Sequence, residues 1–175
     1  MKRIAIDMDE VMADTMAHFL EKYNASFGVG LKTEQFQGRH VFEVIEDAHR
    51  PAARDYFQQQ TFFETIPVMP GSAAVVKALT LRYEVFITTA AMDVPCSFTP
   101  KFDWLQRYFP FIPTSNIVFC GDKSIISADF LIDDNPRHLN NFRGEGIVYT
   151  APHNINETRF RRVNNWEEVR TLFLS

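Results

Sequence analysis

Acidic, hydroxyl and amino side chains stand directly after four short apolar segments of this sequence. Asp7 and Asp9 follow the first segment, Thr88-Thr89 the second, Lys123 the third and Asp133-Asp134 the fourth. Carboxylates without soft ligands nearby favour Mg²⁺, which keeps several waters and takes one or two carboxylates plus a substrate phosphate. A lysine and a hydroxyl are suited to holding phosphoryl oxygens. These residue types therefore indicate magnesium-assisted chemistry on a phosphate group.

The spacing of the first two acids favours two different roles. Side chains two residues apart at the end of a strand point the same way, so Asp7 and Asp9 are expected to face one site. One carboxylate can attack phosphorus as a covalent nucleophile, and an acid that stays off the metal is free to transfer a proton. An Asp-x-Asp pair alone is common on surfaces, and Asp133-Asp134 before Asn-Pro is also a good turn start. The shared position at strand ends is what favours a site.

A scaffold must bring these strand ends together. Apolar β-rich segments alternate with amphipathic ones, which predicts an α/β fold with a parallel sheet covered by helices on both faces. Ligands of such sheets lie at the carboxyl ends of the strands. We predict strands at residues 4–6, 83–89, 117–120, 130–134 and 146–150, and helices at 11–27, 72–80, 99–109 and 166–174.

A long polar stretch separates the first strand from the rest of the sheet. Residues 32–66 carry scattered aromatics and little β-branching, which predicts two or three short helices. The whole stretch, 14–69, exceeds 50 residues and is too long for an ordinary crossover. We therefore expect an α/β core formed by residues 1–13 and 70–175, with residues 14–69 inserted as a helical cap.

Composition narrows the class of protein further. The chain has 175 residues and a net charge of −4, which does not favour a nucleic-acid polymer as partner. Its two cysteines are too few for a disulfide scaffold, and no apolar run approaches the length of a membrane span. The segment Met1–Asp7 turns acidic after three apolar residues, unlike a signal peptide. We expect a cytoplasmic protein with a small-molecule substrate and leave its oligomeric state open.

The order of the reactive groups resembles the four motifs of the haloacid dehalogenase-like (HAD) phosphatases. The matching segments are residues 7–11, 85–89, Lys123 and 131–134, so the resemblance spans the predicted core. Response-regulator receiver domains share an acid, a threonine and a lysine, but their acid pair precedes the acceptor aspartate. The resemblance implies a Rossmann-like parallel sheet of the HAD type with a cap inserted after the first strand.

Further segments narrow the resemblance to the 5'(3')-deoxyribonucleotidase family. They are residues 7–14, read as Asp-Met-Asp-x-Val-x-Ala-Asp, then 66–71, 122–124, 131–134 and His153-Asn154. Enzymes of that family hydrolyse nucleoside monophosphates to nucleoside and phosphate, and they carry a helical cap at the point where residues 14–69 are inserted here. The resemblance thus implies a phosphomonoesterase that acts on deoxynucleoside monophosphates.

The resemblance also implies roles for the acids. Asp7 would be the nucleophile that forms an aspartyl-phosphate and a ligand of Mg²⁺. Asp9 would be the general acid and base, and its main-chain carbonyl would also bind the metal. Asp134 would be the third metal ligand, because it stands eleven residues after Lys123 (134 − 123) as the family pattern requires. Asp133 would not bind the metal itself but would contact and orient the residues that do.

Substrate-binding residues follow from the same resemblance. Thr89, the backbone N–H of Ala90 and Lys123 would hold the phosphoryl group. Two positions depart from the family pattern: Glu10 replaces a glycine, and Thr15 replaces an aromatic residue found in animal members. A carboxylate at position 10 adds negative charge near the phosphate unless it points outward.

The cap is expected to select the substrate. Phe57 and Phe63 align with residues that stack on a nucleobase, and Arg39 and His40 fall where other pocket residues lie. Aromatic residues at helical spacing are also typical of a hydrophobic core. Two alternatives to a nucleotidase therefore stay open: the same chemistry on another small phosphate ester, such as a sugar phosphate, and a non-catalytic binding protein that kept the fold.

Overall fold

All 175 residues, Met1–Ser175, are described by the computed structural model, which contains one six-stranded parallel sheet. The strands lie in the order β3-β2-β1-β4-β5-β6, so the first strand occupies an interior position between β2 and β4. Their bounds are β1 Arg3–Asp7, β2 Glu84–Thr89, β3 Ile117–Phe119, β4 Phe130–Asp133, β5 Glu145–Tyr149 and β6 Arg161–Val163.

Eight helices connect and cover the strands. They are α1 Thr15–Phe27, α2 Val41–Val44, α3 Arg50–Tyr56, α4 Gln60–Glu64, α5 Ser72–Leu79, α6 Phe98–Tyr108, α7 Pro136–Asn140 and α8 Trp166–Leu174. The first four follow β1 and precede α5, as the long polar stretch predicts. No helix has the length and apolar character that crossing a membrane would require.

The hydrophobic core runs without interruption from the sheet into the first four helices. Ile4 and Ile6 of β1 are fully buried and belong to the same cluster as Phe19 of α1 and Phe62 of α4. Trp104 of α6 donates from its indole nitrogen to the main-chain carbonyl of Ile66, between α4 and α5, at 2.7 Å. Burial of this shared apolar surface holds the first four helices against the sheet. The division at residues 13/14 and 69/70 stays a prediction.

The register of the sheet brings the reactive residues to one edge. Asp7 is level with Thr88 across the β1–β2 ladder, and Ile6 is level with Ile132 across the β1–β4 ladder. Strands β1, β2 and β4 therefore end at nearly the same height. Their carboxyl ends are where the acids and threonines of the sequence stand.

One predicted helix begins too early, and one strand is missing from the prediction. The first helix begins at Thr15 rather than at residue 11, because residues 8–13 form a turn in which Met12 and Ala13 both donate to the Met8 carbonyl at 2.9 Å. Asp14 then caps the helix by accepting the Ala17 N–H at 3.1 Å. The sheet also has a sixth strand, β6, which is not among the five strands predicted from the sequence.

Candidate active site

Three carboxylates meet at the carboxyl edge of the sheet. Asp7 ends β1, Asp133 ends β4, and Asp134 follows directly. Each offers an oxygen atom, and these atoms all lie within 4.8 Å of one another. All three residues are buried. Because like charges at this spacing repel strongly in a poorly solvated site, the cluster needs cations.

Lys123 supplies one cation. Its ammonium group is buried, hydrogen-bonds the carboxylate of Asp7, and donates to Oδ2 of Asp133 at 2.6 Å. Burial alone would lower the pKa of Lys123, but the two carboxylates together raise it well above its usual range. The lysine is therefore firmly charged and stands against the nucleophile predicted from the sequence.

Both carboxylate oxygens of Asp133 have hydrogen-bond partners within the protein. Besides Lys123, its Oδ2 contacts Nδ1 of His138 at 3.0 Å, and its Oδ1 accepts the Asn135 N–H at 2.8 Å. Burial raises the pKa of Asp133, but Lys123 and His138 lower it more, so the net pKa lies below its ordinary value. This carboxylate is occupied in holding Lys123, which agrees with its expected supporting position.

Asp7 and Asp134 carry charge that the protein does not fully compensate. Burial, aided by the charges of Asp133 and Asp9, raises the pKa of Asp7 to about 6 against the opposing effect of Lys123. Burial and the charges of Asp7 and Asp133 raise the pKa of Asp134 well above its ordinary value. One ammonium thus serves three carboxylates. The excess negative charge and the all-oxygen donors fit a divalent cation of the Mg²⁺ type.

The main chain at Asp134 is fixed by residues at the β5–β6 edge of the sheet. Asn154 donates from Nδ2 to the Asp134 carbonyl at 2.7 Å and to the Tyr149 carbonyl at 2.8 Å. Arg162 of β6 in turn donates to Oδ1 and to the carbonyl of Asn154, both at 2.9 Å. Sequence reasoning missed Arg162, although Asn154 stood in the family pattern. The sixth strand therefore helps to hold a candidate metal ligand.

Asp9 stands apart from the three carboxylates. It lies in the turn after β1, where Thr15 donates to its Oδ1 at 3.2 Å and the ammonium of Lys101 contacts its Oδ2. Lys101 also donates to the hydroxyl of Thr89 at 3.2 Å. Thr89 ends β2, and Ala90 follows at the start of a 3₁₀ turn. The second acid thus faces the strand end where the phosphoryl-binding residues were expected.

The Glu10 carboxylate is hydrogen-bonded to the start of α1 rather than to a residue of the carboxylate cluster. It is the single non-glycine residue with a positive φ, 59°, and its carboxylate accepts the Met16 N–H at 2.5 Å at the start of α1. Burial, aided by the charges of Asp14 and Asp9, raises the pKa of Glu10 to about 8, although the Met16 hydrogen bond opposes the shift. Its carboxylate therefore ties the turn after β1 to the first helix.

A pocket of about 160 Å³ opens between this turn and the inserted helices. Phe57, Arg39 and His40 contribute to its wall, together with Glu10 and with His153 from the loop after β5. A larger open groove of about 550 Å³ lies along residues 124–129 and 143–144, and it includes none of the clustered acids. The smaller pocket is the one that adjoins the turn carrying Asp9.

The two predicted stacking residues have different surroundings. The Phe57 ring lies parallel to the buried Phe19 ring, with centroids 5.9 Å apart and planes 7° apart. Phe63 is 4% exposed, does not line the pocket, and packs edge-on against Phe62. Its ring instead faces the Lys101 ammonium, 5.4 Å from the centroid. Phe57 and Arg39 are thus brought to the pocket, whereas Phe63 supports Lys101.

The fold is that of the HAD-like hydrolases. A HAD-like hydrolase from Streptococcus pneumoniae superposes with a TM-score of 0.63 at 12% identity, covering 99% of this chain and 98% of that chain. A provisionally assigned HAD hydrolase from Bacillus subtilis, solved with bound magnesium, superposes at 0.62 with 12% identity and 99% coverage of both chains. These likenesses confirm the predicted fold.

Sequence comparison narrows the class. The model of the family described as 5' nucleotidase, deoxy (pyrimidine), cytosolic type C matches residues 1–175. A Staphylococcus aureus protein provisionally named 5'(3')-deoxyribonucleotidase is 47% identical over 173 residues, which cover 99% of this chain and 96% of that protein. The 5'(3')-deoxyribonucleotidase of Bacillus subtilis is 40% identical over 171 residues, 96% of each. The chain therefore belongs to the 5'(3')-deoxyribonucleotidase family, and it is a phosphoric monoester hydrolase.

Proposed function

We propose that this protein is a Mg²⁺-dependent 5'(3')-deoxyribonucleotidase, which hydrolyses deoxynucleoside monophosphates to nucleoside and phosphate. The observation that carries the proposal is the cluster of Asp7, Asp133 and Asp134 around a single lysine at the carboxyl edge of the sheet. Supporting it are the pocket beside Phe57 and the names of the full-length relatives. The substrate is a small molecule, and no nucleic-acid polymer is needed.

The proposed reaction has two displacements. A carboxylate oxygen of Asp7 attacks phosphorus, the ester P–O bond breaks, and Asp9 gives a proton to the departing nucleoside oxygen. Water then attacks the phosphorus of the aspartyl-phosphate and gives a proton to Asp9, so that phosphate leaves and Asp7 is regenerated. Lys123, Thr89 and the N–H of Ala90 hold the phosphoryl oxygens, whose charge they partly neutralise.

The proposed metal site uses residues that lack full compensation within the protein. The carboxylates of Asp7 and Asp134 and the main-chain carbonyl of Asp9 would hold Mg²⁺, while Asp133 stays with Lys123 and His138. When bound, the ion neutralises charge on the phosphoryl oxygens and lets the dianion approach the carboxylates. The fixed main chain at Asp134 sets where its carboxylate enters the site.

In this proposal residues 14–69 act as the cap that selects the substrate. The pocket beside Phe57 lies between these residues and the turn after β1, so a bound nucleoside would contact both parts of the chain. An aromatic ring offers a nucleobase a flat apolar surface, and Arg39 or His40 is available for hydrogen bonds to base or sugar. Closure over the strand ends would exclude water from the aspartyl-phosphate.

The decisive experiment measures phosphate release from a panel of esters with Mg²⁺ and with EDTA. The panel contains 5'- and 3'-deoxynucleoside monophosphates, ribonucleoside monophosphates and sugar phosphates. We expect deoxynucleotide hydrolysis that EDTA abolishes, that Mg²⁺ restores, and that is lost in Asp7→Asn. Full activity in EDTA would overturn the metal assignment. Preference for a sugar phosphate would replace the substrate class and leave the chemistry standing.

A further inference from the structure

Lys101 is a buried cation that belongs neither to the carboxylate cluster of Asp7, Asp133 and Asp134 nor to the phosphate-binding motifs. It lies on α6, is 4% exposed, and forms its one ion pair with Asp9. Its ammonium also donates to Thr89 Oγ1 at 3.2 Å and sits 5.4 Å from the centre of the Phe63 ring. Burying an ammonium costs considerable free energy unless it is paired. These contacts therefore hold the Lys101 ammonium in one position, unlike that of a solvated surface lysine.

The contacts at Asp9 show what this arrangement controls. Thr15 donates to one carboxylate oxygen, and Lys101 contacts the other. The carboxylate is thus held from both sides, and its side chain remains 33% exposed. Lys101 also links it to Thr89 at the end of β2, so its distance from the phosphoryl site is set by α6 and the sheet.

We propose that Lys101 is a positioning residue that holds the Asp9 carboxylate in line with the leaving oxygen of the substrate. The inference rests on the proposed function, in which Asp9 transfers that proton. Lys101 acts through Asp9 and does not itself bind the phosphoryl group. Phe63 helps to hold Lys101 in place, because its ring packs against the lysine and excludes water from the ammonium.

This role predicts that the loss on removing Lys101 depends on the leaving group. A nucleoside alkoxide is a poor leaving group and needs a proton as the ester bond breaks, whereas a nitrophenolate departs without one. The ratio kcat/KM reports steps up to the first irreversible one, the formation of the aspartyl-phosphate. A misplaced Asp9 should therefore reduce kcat/KM for a nucleotide and leave that for a nitrophenyl ester nearly unchanged.

The experiment compares thymidine 5'-monophosphate with p-nitrophenyl phosphate in the full chain with Mg²⁺. Lys101→Met keeps the side-chain length and the packing on Phe63 but removes the ammonium. Misplacing a catalytic group by about 1 Å costs about 10²-fold, so we expect that loss of kcat/KM for the nucleotide and a change within about threefold for the aryl ester. Lys77→Met, an exposed lysine on α5, is the matched control and should change neither.

A second variant makes the result independent of folding. Adding Lys101→Met to Asp9→Asn should cause no further loss on the nucleotide, because the group being positioned is already inactive. Equal losses on both esters in Lys101→Met would overturn the inference and assign Lys101 to phosphate binding. A further loss in the double variant would overturn it as well. Failure of the proposed function is distinguishable, because the wild-type chain would then fail to hydrolyse thymidine 5'-monophosphate, whether or not it hydrolyses the aryl ester.

Discussion

Replacing Asp134 by asparagine should stabilise the metal-free protein while destroying its response to Mg²⁺. The carboxylate is buried, lies beside Asp7 and Asp133, and forms no ion pair with a lysine or arginine. Its nearest basic neighbour is His153, whose Nε2 is 3.5 Å away and whose pKa is lowered by burial, so this imidazole is not a compensating cation at neutral pH. In the absence of a divalent ion the folded chain has to accommodate this charge or protonate it. An amide of the same shape carries no charge, so the folded state gains.

The size of the gain follows from the spacing of the charges. Two unit charges 4.8 Å apart interact by about 3 kcal/mol at an effective dielectric constant of about 20. Asp134 is repelled by two such neighbours and attracted by Lys123, so the net penalty is about one interaction, or about 3 kcal/mol. Protonating the group at pH 7 from its ordinary pKa of 3.8 would cost about 4 kcal/mol, which is the upper limit.

The gain has a defined pH dependence. Because the folded pKa of Asp134 is raised, the group carries no charge penalty in the folded wild type below its unfolded pKa of 3.8. The stability of the wild type is then lost as the pH rises from that value through the folded pKa. The difference between variant and wild type should therefore be largest near pH 8 and should vanish near pH 4. A gain of about 3 kcal/mol corresponds to a rise in Tm of about 6–12 °C for a chain of this length.

Urea unfolding in EDTA and in Mg²⁺ measures both halves of the prediction. The wild type should gain stability from Mg²⁺, and Asp134→Asn should gain almost none and release no phosphate from thymidine 5'-monophosphate. The adjacent Asp133→Asn is the matched control with the opposite sign, since it removes the partner of Lys123 and His138 and should destabilise the metal-free chain by about 3 kcal/mol. If Asp134→Asn is no more stable than wild type in EDTA at pH 8, the reasoning about uncompensated charge fails.

Three further substitutions test the pocket and its support. Phe57→Ala should reduce kcat/KM for nucleotides by about 5–150-fold through lost stacking and affect p-nitrophenyl phosphate much less; equal losses would show that the ring serves only packing. Phe63→Ala should instead lower the free energy of unfolding by about 3–5 kcal/mol in denaturant titrations, because the ring is buried, and an unchanged midpoint would contradict that role. Trp166→Phe should cost about 1–3 kcal/mol, since its indole donates to the Val11 carbonyl at 2.7 Å, and thermal unfolding with no shift would refute the importance of this bond.

The residues at strand ends could be predicted from the sequence because two rules act together there. Short apolar segments predict strands, and parallel strands direct their carboxyl ends to one edge. Asp7, Asp134, Thr89 and Lys123 needed no further information to be placed near one another. The α/β fold and the long insertion after β1 followed from the same alternation of segments, and both are present in the structure.

Residues that reach the site from helices and edge strands could not be found this way. Lys101 has the spacing of any residue on an amphipathic helix, and only packing of α6 against the sheet turns it toward Asp9. Arg162 lies on a three-residue edge strand whose charged sequence lacks the apolar character of a strand. Phe57 and Phe63 are alike in sequence, and the tertiary packing of the inserted helices alone distinguishes a pocket wall from a buried support.

The interior position of β1 has a consequence for how the chain becomes an enzyme during synthesis. The strand that bears Asp7 pairs on one side with β2 and on the other with β4, and its residue Ala5 lies level with Leu131, 126 positions later (131 − 5). At about 5–20 residues per second, a ribosome needs about 6–25 s to cover that separation. Until β4 emerges, one edge of β1 lacks its partner, and Asp7 has neither Lys123 nor Asp134 beside it. Hydrolytic competence should therefore arise in a single late step, after the inserted helices have long been available to fold.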